Sequence, residues 1–428
     1  MRLRYYKGML DIRFIRDNKE LVAEAATKKH TEFDVEKLIA LDDGRIKLLA
    51  EVESARATQN AANDAISKAG EGEREKLLTE MRAVKETLAG SEEKLKSVMD
   101  EWRIAMLQVP NIPDMSVPEG DNDASNLEYS QWGKIPQFSF ALKNHIELME
   151  GLGMLDLERG AKVSGFRGYF LKGDATLLSF ALWRFAIDTL VQKGFEPLLT
   201  PAIVRKEPLL GTGYLPQGEE DLYRTQDGEY FSGTAEAPTM GYSMDETLEL
   251  TELPKKSISF SPCYRREAGS HGKDTRGIQR VHEFYKVEMV VLCEGSHEVS
   301  VQWHEELREN AEELMQALHI PYRVVINCGG DLGLGQVKKY DIEAWVPSEG
   351  RYRETHSISY FHDFQTRRFS IKYKDAEGKK RFAHSLNGTA IATPRLLISL
   401  LENHQRADGS VGVPPALIPY VKKNVLSP

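Results

Sequence analysis

The sequence predicts an α+β fold in which a long antiparallel helical hairpin precedes a domain of mixed strands and helices. Three observations predict it. Leu48, Val52, Ala55, Gln59, Ala62 and Ile66 recur at four-three spacing, as do Leu77, Met81, Val84, Leu88, Ser91, Leu95, Val98, Trp102 and Ala105. Gly70-Glu71-Gly72 breaks the chain between the two stripes. Cys263 to Leu292 reads as strand, polar loop, strand, with glycine and small polar residues in the loop and β-formers from Val281 onward.

With 428 residues the chain has room for two or three domains, and a hydrophobic share of 41% gives them a sizeable core. A net charge of −9 argues against a nucleic-acid binder, but only weakly, because a local basic strip can still track phosphates. Cys263, Cys293 and Cys328 lie far apart, which suggests neither a disulfide framework nor a zinc site and points to a reducing cytoplasm. No apolar run is long enough to span a membrane. The leader Met1–Gly8 is slightly basic without an apolar core, so it does not read as a signal peptide.

Taken in order, Met9 to His30 reads as a small capped helical region. Asp34 suits the N-cap of a helix running to about Lys68. At about 1.5 Å per residue, each hairpin helix spans roughly 45–55 Å. Arg45, Lys47, Arg56, Lys68, Arg74, Lys76, Arg82 and Lys85 are spread along it among acids. On pattern alone this is a structural or oligomerising coiled coil with solvated charges. Val109-Pro110-Asn111-Ile112-Pro113 ends it, and a loop runs to about Asn126. Gly165 to Gly173 suggests a strand and turn. Ala175 to Lys193 is an amphipathic helix, and Gly194 to Pro201 a short strand ended by proline. Thr234-Ala235-Glu236 falls at a strand end. Glu236 is either a helix-initiating acid favoured by the dipole or part of a site. An acid-rich helix over Ser296–Leu318 carries no assigned function, and strands follow at 324–327 and 342–346. Thr393 and Pro394 fit a helix N-cap and first position, placing Arg395 in the first turn. A cation gains nothing there from the dipole, but it could share an anion with the backbone N–H groups.

Side chains alternate along a strand, so Arg265 and Glu267 should share one face, and Phe284, Lys286 and Glu288 another, with Val287, Met289 and Val291 turned away. A wall with a cation, two carboxylates and a ring suits a ligand with a phosphate, an amine and a flat base. Equally, charged residues on a strand face are the ordinary wet side of an antiparallel sheet.

As a whole this stretch resembles the second signature motif of class II aminoacyl-tRNA synthetases, in the wording of the seryl-tRNA synthetase family. That wording is aromatic-Arg-x-Glu-Ala-Gly-Ser, then Gly-Lys-Asp-Thr-Arg-Gly, then Arg-Val-His-x-Phe-x-Lys-Val-Glu. The resemblance runs from Met9 to Tyr420. Leu107 to Pro113 with Trp132-Gly133 is similar to the linker, and the helix and strand ending at Pro201 to the first motif. Asp341-Ile342-Glu343-Ala344-Trp345 is similar to a family strand, and Ser385–Leu397 to the third motif. Two places depart: Thr355 and His356 stand where the family has Glu-φ-Ser-Ser, and Thr389-Ala390 where it has Ser-Gly. The family begins at a sequence like Met9-Leu10-Asp11-Ile12-Arg13, leaving the first eight residues as an extension or an upstream start.

The resemblance implies a class II catalytic domain, an antiparallel sheet flanked by helices, over residues 131–428. A linker over 109–130 joins it to a tRNA-binding domain over 1–108 whose coiled-coil arm spans about 34–105. It implies activation of L-serine with ATP to seryl-adenylate, transfer to the 3′ end of tRNA(Ser), with tRNA(Sec) a further candidate, and a homodimer built on the first motif. Arg265, Glu267 and Arg395 would be catalytic. Arg265, Arg266, Glu267, Val281, Phe284, Glu354, Thr355, His356, Ser357 and Arg395 would bind ATP. Thr234, Ala235, Glu236, Arg265, Glu288, Asn387 and Thr389 would bind serine. Glu354 and Ser357 would hold Mg2+ with the nucleotide, oxygen ligands suiting a hard ion; zinc is not implied. Arg45, Arg56, Lys68, Arg74 and Arg82 would meet tRNA phosphates. Two rivals are a ligase charging a carrier protein, disfavoured by the long hairpin, and a non-catalytic interaction protein, disfavoured by intact Arg265, Glu267, Glu288, Glu354 and Arg395.

Overall fold

The computed structural model describes residues 10–427 apart from 270, 271 and 273. The leader, Met9 and those three loop positions lie outside the described residues. The chain divides into two compact units. One holds residues 10–27 and 31–110, the other 28–30 and 111–427.

In the first unit, Asp11 and Asp34 accept hydrogen bonds from the backbone N–H groups of Arg13 and Lys37 (2.9 Å each) and so start α1 (Ile12–Asp17) and α3 (Val35–Lys68); α2 spans Lys19–Lys28. Gly70 precedes α4 (Glu71–Leu107). All the predicted stripe residues of α3 and α4 are buried or half-buried, while their neighbours on the outer faces are exposed. Val52, Met81 and Leu88 are the best-buried seam residues. At the base, buried Asp42 accepts hydrogen bonds from Arg16 and Arg45 (2.7 Å each), so this interior carboxylate has two cationic partners.

The second unit contains, in chain order, β1 (Leu127–Trp132), α5 (Asp174–Gln192), β2 (Glu196–Leu199), α6 (Glu236–Tyr242), β3 (Lys255–Tyr264), β4 (Glu283–Cys293) and α7 (His297–Ala317). There follow β5 (Tyr322–Ile326), β6 (Lys338–Val346), β7 (Arg351–Tyr360), α8 (Phe364–Phe369), β8 (His384–Thr393) and α9 (Arg395–Asn403). These eight strands form one sheet in the order β1-β5-β6-β7-β8-β4-β3-β2. Every neighbouring pair is antiparallel except β2 with β3. The expected antiparallel sheet flanked by helices is therefore present, with one parallel pair at its edge.

The main core lies against one face of this sheet. Val287, Met289 and Val291 of β4 join Leu178 and Leu182 of α5, Leu307 and Leu314 of α7, and Leu396 and Leu400 of α9. The opposite face is not simply wet: Val290 and Leu292 enter a smaller core with Met240, Phe369, Ile371 and Tyr373. Only the end of β4 nearer the loop presents charge.

Two local expectations need correction, and a third position is irregular. β3 ends at Tyr264, so Glu267 lies outside the strand, and its φ of 55° breaks the alternation used to pair it with Arg265. Thr393 is not a helix cap: β8 continues through it, its hydroxyl accepts the Trp183 indole N–H (2.9 Å), and Pro394 occupies the cap position without a side-chain bond. Thr355 breaks strand alternation. β7 pairs His356 with Ile342 and Glu354 with Glu343, which leaves Thr355 as the extra residue of a bulge.

Candidate active site

The β3–β4 hairpin supplies the centre of the site. Past the last strand pair, the Arg265 N–H still bonds the His282 carbonyl (2.9 Å), which carries Arg265 just beyond the strand end. Its guanidinium lies 5.4 Å from the Phe284 ring centroid, and its Nε donates to the Gly233 carbonyl (3.3 Å). Arg265 and Phe284 are thus brought together as expected. Glu267 is instead held by Arg280 (3.0 Å) and lies 3.8 Å from Arg167. Arg280 also bonds Asp274 (3.0 Å), which accepts from Arg353 of β7 (2.6 Å). An ion network therefore ties the loop to the sheet. Arg266 is exposed, and Val281 is buried in the main core, so a ligand could meet Val281 only through its backbone.

On β4, the Lys286 ammonium sits 2.9 Å from Glu288, and both side chains are nearly fully buried. The Thr389 hydroxyl, directly across on β8, donates to the same Glu288 oxygen (3.2 Å). Asn387, two residues earlier on the same face, is also buried.

Glu236 is the first residue of α6, just after buried Thr234 and Ala235. It is more than a dipole-favoured acid. The Tyr214 hydroxyl donates to one carboxyl oxygen (3.2 Å) and the Gln365 amide to the other (2.6 Å); Ser385 in turn donates to the Gln365 carbonyl (2.7 Å). Burial pushes the Glu236 carboxyl up to about 7, outweighing the hydrogen bonds from Gln365 and Tyr214; neighbouring Glu288 adds to the rise.

The bulge at Thr355 sets how Glu354 and Ser357 are disposed. Three residues apart on a regular strand, they would face opposite ways. With Thr355 extra, Glu354 stands opposite Glu343 and Ser357 opposite Asp341, and all four share a face. Arg395, the first residue of α9, lies 3.7 Å from the Glu354 carboxylate and donates to the carbonyls of Glu354 (3.3 Å) and Gln279 (3.4 Å). Surrounding protein penalises charge on Glu354, but Arg395, Lys339 and Arg265 outweigh that and hold its carboxyl below the usual range. Thr355 and His356 are turned into the sheet instead. The Thr355 hydroxyl lies 3.2 Å from the Ile342 carbonyl and 2.8 Å from His356 Nδ1, and His356 Nε2 meets the Ala390 carbonyl at 3.0 Å. Burial holds the His356 imidazole down at about 4, so it is neutral.

The hairpin cations divide. Arg45 is bonded to Asp42 (2.7 Å) and lies 4.9 Å from the Trp102 ring centroid, and Arg56 is bonded to Glu92 (2.7 Å). Lys68, Arg74 and Arg82 are exposed nearer the far end of the hairpin.

Sequence reasoning missed Tyr214, Gln365, Ser385, Arg167 and Asp274, and gave Lys286 no role. Tyr214 lies in a glycine-flanked stretch that could have drawn attention. Gln365 stands 129 positions from Glu236, and no local pattern joins them. No helix among the described residues is long and apolar enough to cross a membrane.

Residues 9–113 match the model of the seryl-tRNA synthetase N-terminal domain, and residues 223–404 that of the class II tRNA synthetase core domain of the G, H, P, S and T enzymes. The chain is 46% identical to the serine–tRNA ligase of Deinococcus radiodurans, covering 96% of this chain and 97% of that one. It superposes on the crystal structure of seryl-tRNA synthetase from Pyrococcus horikoshii complexed with ATP with a TM-score of 0.87 and 37% identity, covering 98% and 99% of the two chains. The cytoplasmic serine–tRNA ligase of Naegleria fowleri, in complex with AMP, gives 0.84 and 33% over 99% of both. Two matched domains in the same order, and near-complete coverage by relatives well above 30% identity, place this chain in the seryl-tRNA synthetase family of class II aminoacyl-tRNA ligases.

Proposed function

We propose that this site joins L-serine to ATP as seryl-adenylate, releasing pyrophosphate, and then passes the seryl group to the 3′-terminal ribose of tRNA(Ser). One observation carries the amino-acid assignment. Glu288, bonded by Lys286 and Thr389, lies close enough to Glu236 for the two carboxyls to influence each other. Two carboxyls and a hydroxyl in a buried site suit a small ligand bearing an ammonium and an alcohol. Glu236 and Glu288 take the ammonium, and Glu288 with Thr389 the serine hydroxyl. An analogue lacking the hydroxyl leaves those groups unpaired, which disfavours alanine.

Arg265 neutralises the α-phosphate and the serine carboxylate, with the adenine against Phe284. Arg395 faces the outer phosphates. The serine carboxylate attacks the α-phosphorus and pyrophosphate leaves, so catalysis here is positioning and charge neutralisation. Glu267 meets the adenine amine once Arg280 yields it. Glu354 and Ser357 present a carboxylate and a hydroxyl on one face, an oxygen set that fits Mg2+. Magnesium bound with the nucleotide would spread the phosphate charge, and Arg395 beside Glu354 would complete that neutralisation.

Half or more of Leu177, Phe180 and Leu199 is exposed on α5 and β2, at the edge of the sheet. Such apolar exposure supports a homodimer through this face. The exposed hairpin cations support tRNA contact through phosphates, with tRNA(Sec) a second candidate, and the cytoplasm is the fitting compartment. ATP–pyrophosphate exchange without tRNA, run with serine, threonine, alanine and glycine, tests the activation step. Exchange with serine alone is expected. Exchange with glycine or alanine would favour a carrier-charging ligase, and none at all an interaction protein.

A further inference from the structure

Two irregularities in the sheet meet at one imidazole. β7 carries an extra residue at Thr355, and β8 carries one at Ala390, where pairing with β4 jumps from Thr389–Glu288 to Ile391–Val287. Between β7 and β8 the ladder pairs Tyr360 with Leu386, Ser359 with Asn387 and Ile358 with Gly388. Next along, His356 Nε2 lies 3.0 Å from the carbonyl of Ala390. A carbonyl only accepts, so Nε2 carries the hydrogen and donates it. Nδ1 then accepts from the Thr355 hydroxyl at 2.8 Å, whose single hydrogen is thereby withheld from the Ile342 carbonyl 3.2 Å away. His356 is 1% exposed and Ala390 0%. The imidazole thus carries the connection between the two strands into the bulged region.

Each bulge orients residues on a different half of the site. The one at Thr355 turns Glu354 and Ser357 to a common face. The one at Ala390 immediately follows Thr389, whose hydroxyl rests on Glu288. We propose that His356 is a positioning residue for both substrates: by bonding the Thr355 hydroxyl at one bulge and the Ala390 carbonyl at the other, it fixes the nucleotide-facing pair Glu354 and Ser357 relative to the serine-facing pair Thr389 and Glu288. It touches neither substrate. The inference rests on the residue roles proposed above.

The discriminating variants are His356→Leu, which removes both bonds, and His356→Gln, whose amide can still donate to the Ala390 carbonyl. Thr355→Val removes one bond with little change in volume. Exchange kinetics give KM for serine and for ATP with the turnover number. Equilibrium dialysis of serine alone, without ATP or magnesium, gives a second readout independent of turnover. For His356→Leu both KM values and the serine dissociation constant should rise about tenfold, as expected for loss of a buried hydrogen bond. His356→Gln should recover to within about threefold of the parent in all of them, and Thr355→Val should fall between. If His356→Leu does not fold, the Thr355→Val and His356→Gln values decide the matter alone. A lower melting temperature with unchanged KM and dissociation constants would overturn the proposal in favour of plain packing. So would a change in only one substrate, or equal defects in the Leu and Gln variants. Failure of the parent chain to exchange with serine would instead overturn the underlying assignment of the site.

Discussion

The hairpin and the catalytic unit use the same charged residue types in opposite ways. Arg56 and Glu92 pair on the hairpin with their side chains 61% and 41% exposed, where such a pair adds little stability. Lys286 and Glu288 pair at a similar distance with their side chains 9% and 3% exposed. There the partners cannot be separated cheaply, because removing one leaves a buried charge uncompensated, at a cost of about 3–5 kcal/mol. Beyond the buried Asp42 at its base, the hairpin is therefore a surface on which charge is exchangeable, while the Lys286–Glu288 pair sits in an interior in which it is fixed. Residue type alone does not separate these cases; burial does.

The broadest way to test that contrast is to remove one side of it. A chain lacking residues 35–105 should retain serine-dependent ATP–pyrophosphate exchange and lose tRNA charging entirely; unimpaired charging would show that the hairpin does not hold tRNA. Within the catalytic unit, Arg265→Ala should lower exchange by about a thousandfold or more, as expected for loss of a preorganised charge facing the reacting phosphate. Glu236 sharpens the comparison further, since burial holds its carboxyl at about 7. Serine's ammonium needs the carboxylate, so the serine dissociation constant should rise about tenfold per unit as pH drops below that value and level off above it. Calorimetric titration of the parent and Glu236→Gln chains checks this, and the variant should lose the slope. The folded-state value lies above the ordinary carboxyl value. Stability from the protonated form is therefore present at low pH and lost as pH rises through about 7. The smallest effects belong to the hairpin. Arg82→Ala should weaken tRNA binding a few-fold and reduce the slope of log affinity against log salt by about one, whereas Arg56→Ala, already paired to Glu92, should change that slope less. Filter binding across a salt series separates them.

What could be read in the sequence follows the same division. The hairpin seam was legible residue by residue from Leu48 to Ala105, because a heptad stripe is local and its burial is decided by the partner helix next along the chain. Asp34 as a cap was equally local. The strands around Arg265 were legible, but Glu267 was placed on the wrong footing, because alternation stops where the backbone turns left-handed. Thr393 looked like a cap since Thr-Pro before a helix ordinarily is one, and only the length of β8 shows otherwise. The support for Glu236 was beyond reach: Tyr214, Gln365 and Ser385 converge from separate segments, and only the packed sheet brings them together. The class of site could be inferred from motif wording, while its electrostatics required the fold.

The extra residue at Thr355 also limits how this gene can vary. Substitution between Glu354 and Ser357 is a question of fit, but a change in length is a question of parity. Adding one residue beyond the single bulged position would turn either the carboxylate or the hydroxyl to the far side of the sheet, whereas deleting Thr355 would leave the two on one face of a regular strand and remove the hydroxyl that meets His356. The turn at Asp375–Gly378, which joins two short strands at the surface, has no such parity to keep. Insertions should therefore accumulate at that turn and be excluded from the 354–357 stretch, so a count of residues as well as their identity marks this part of the site.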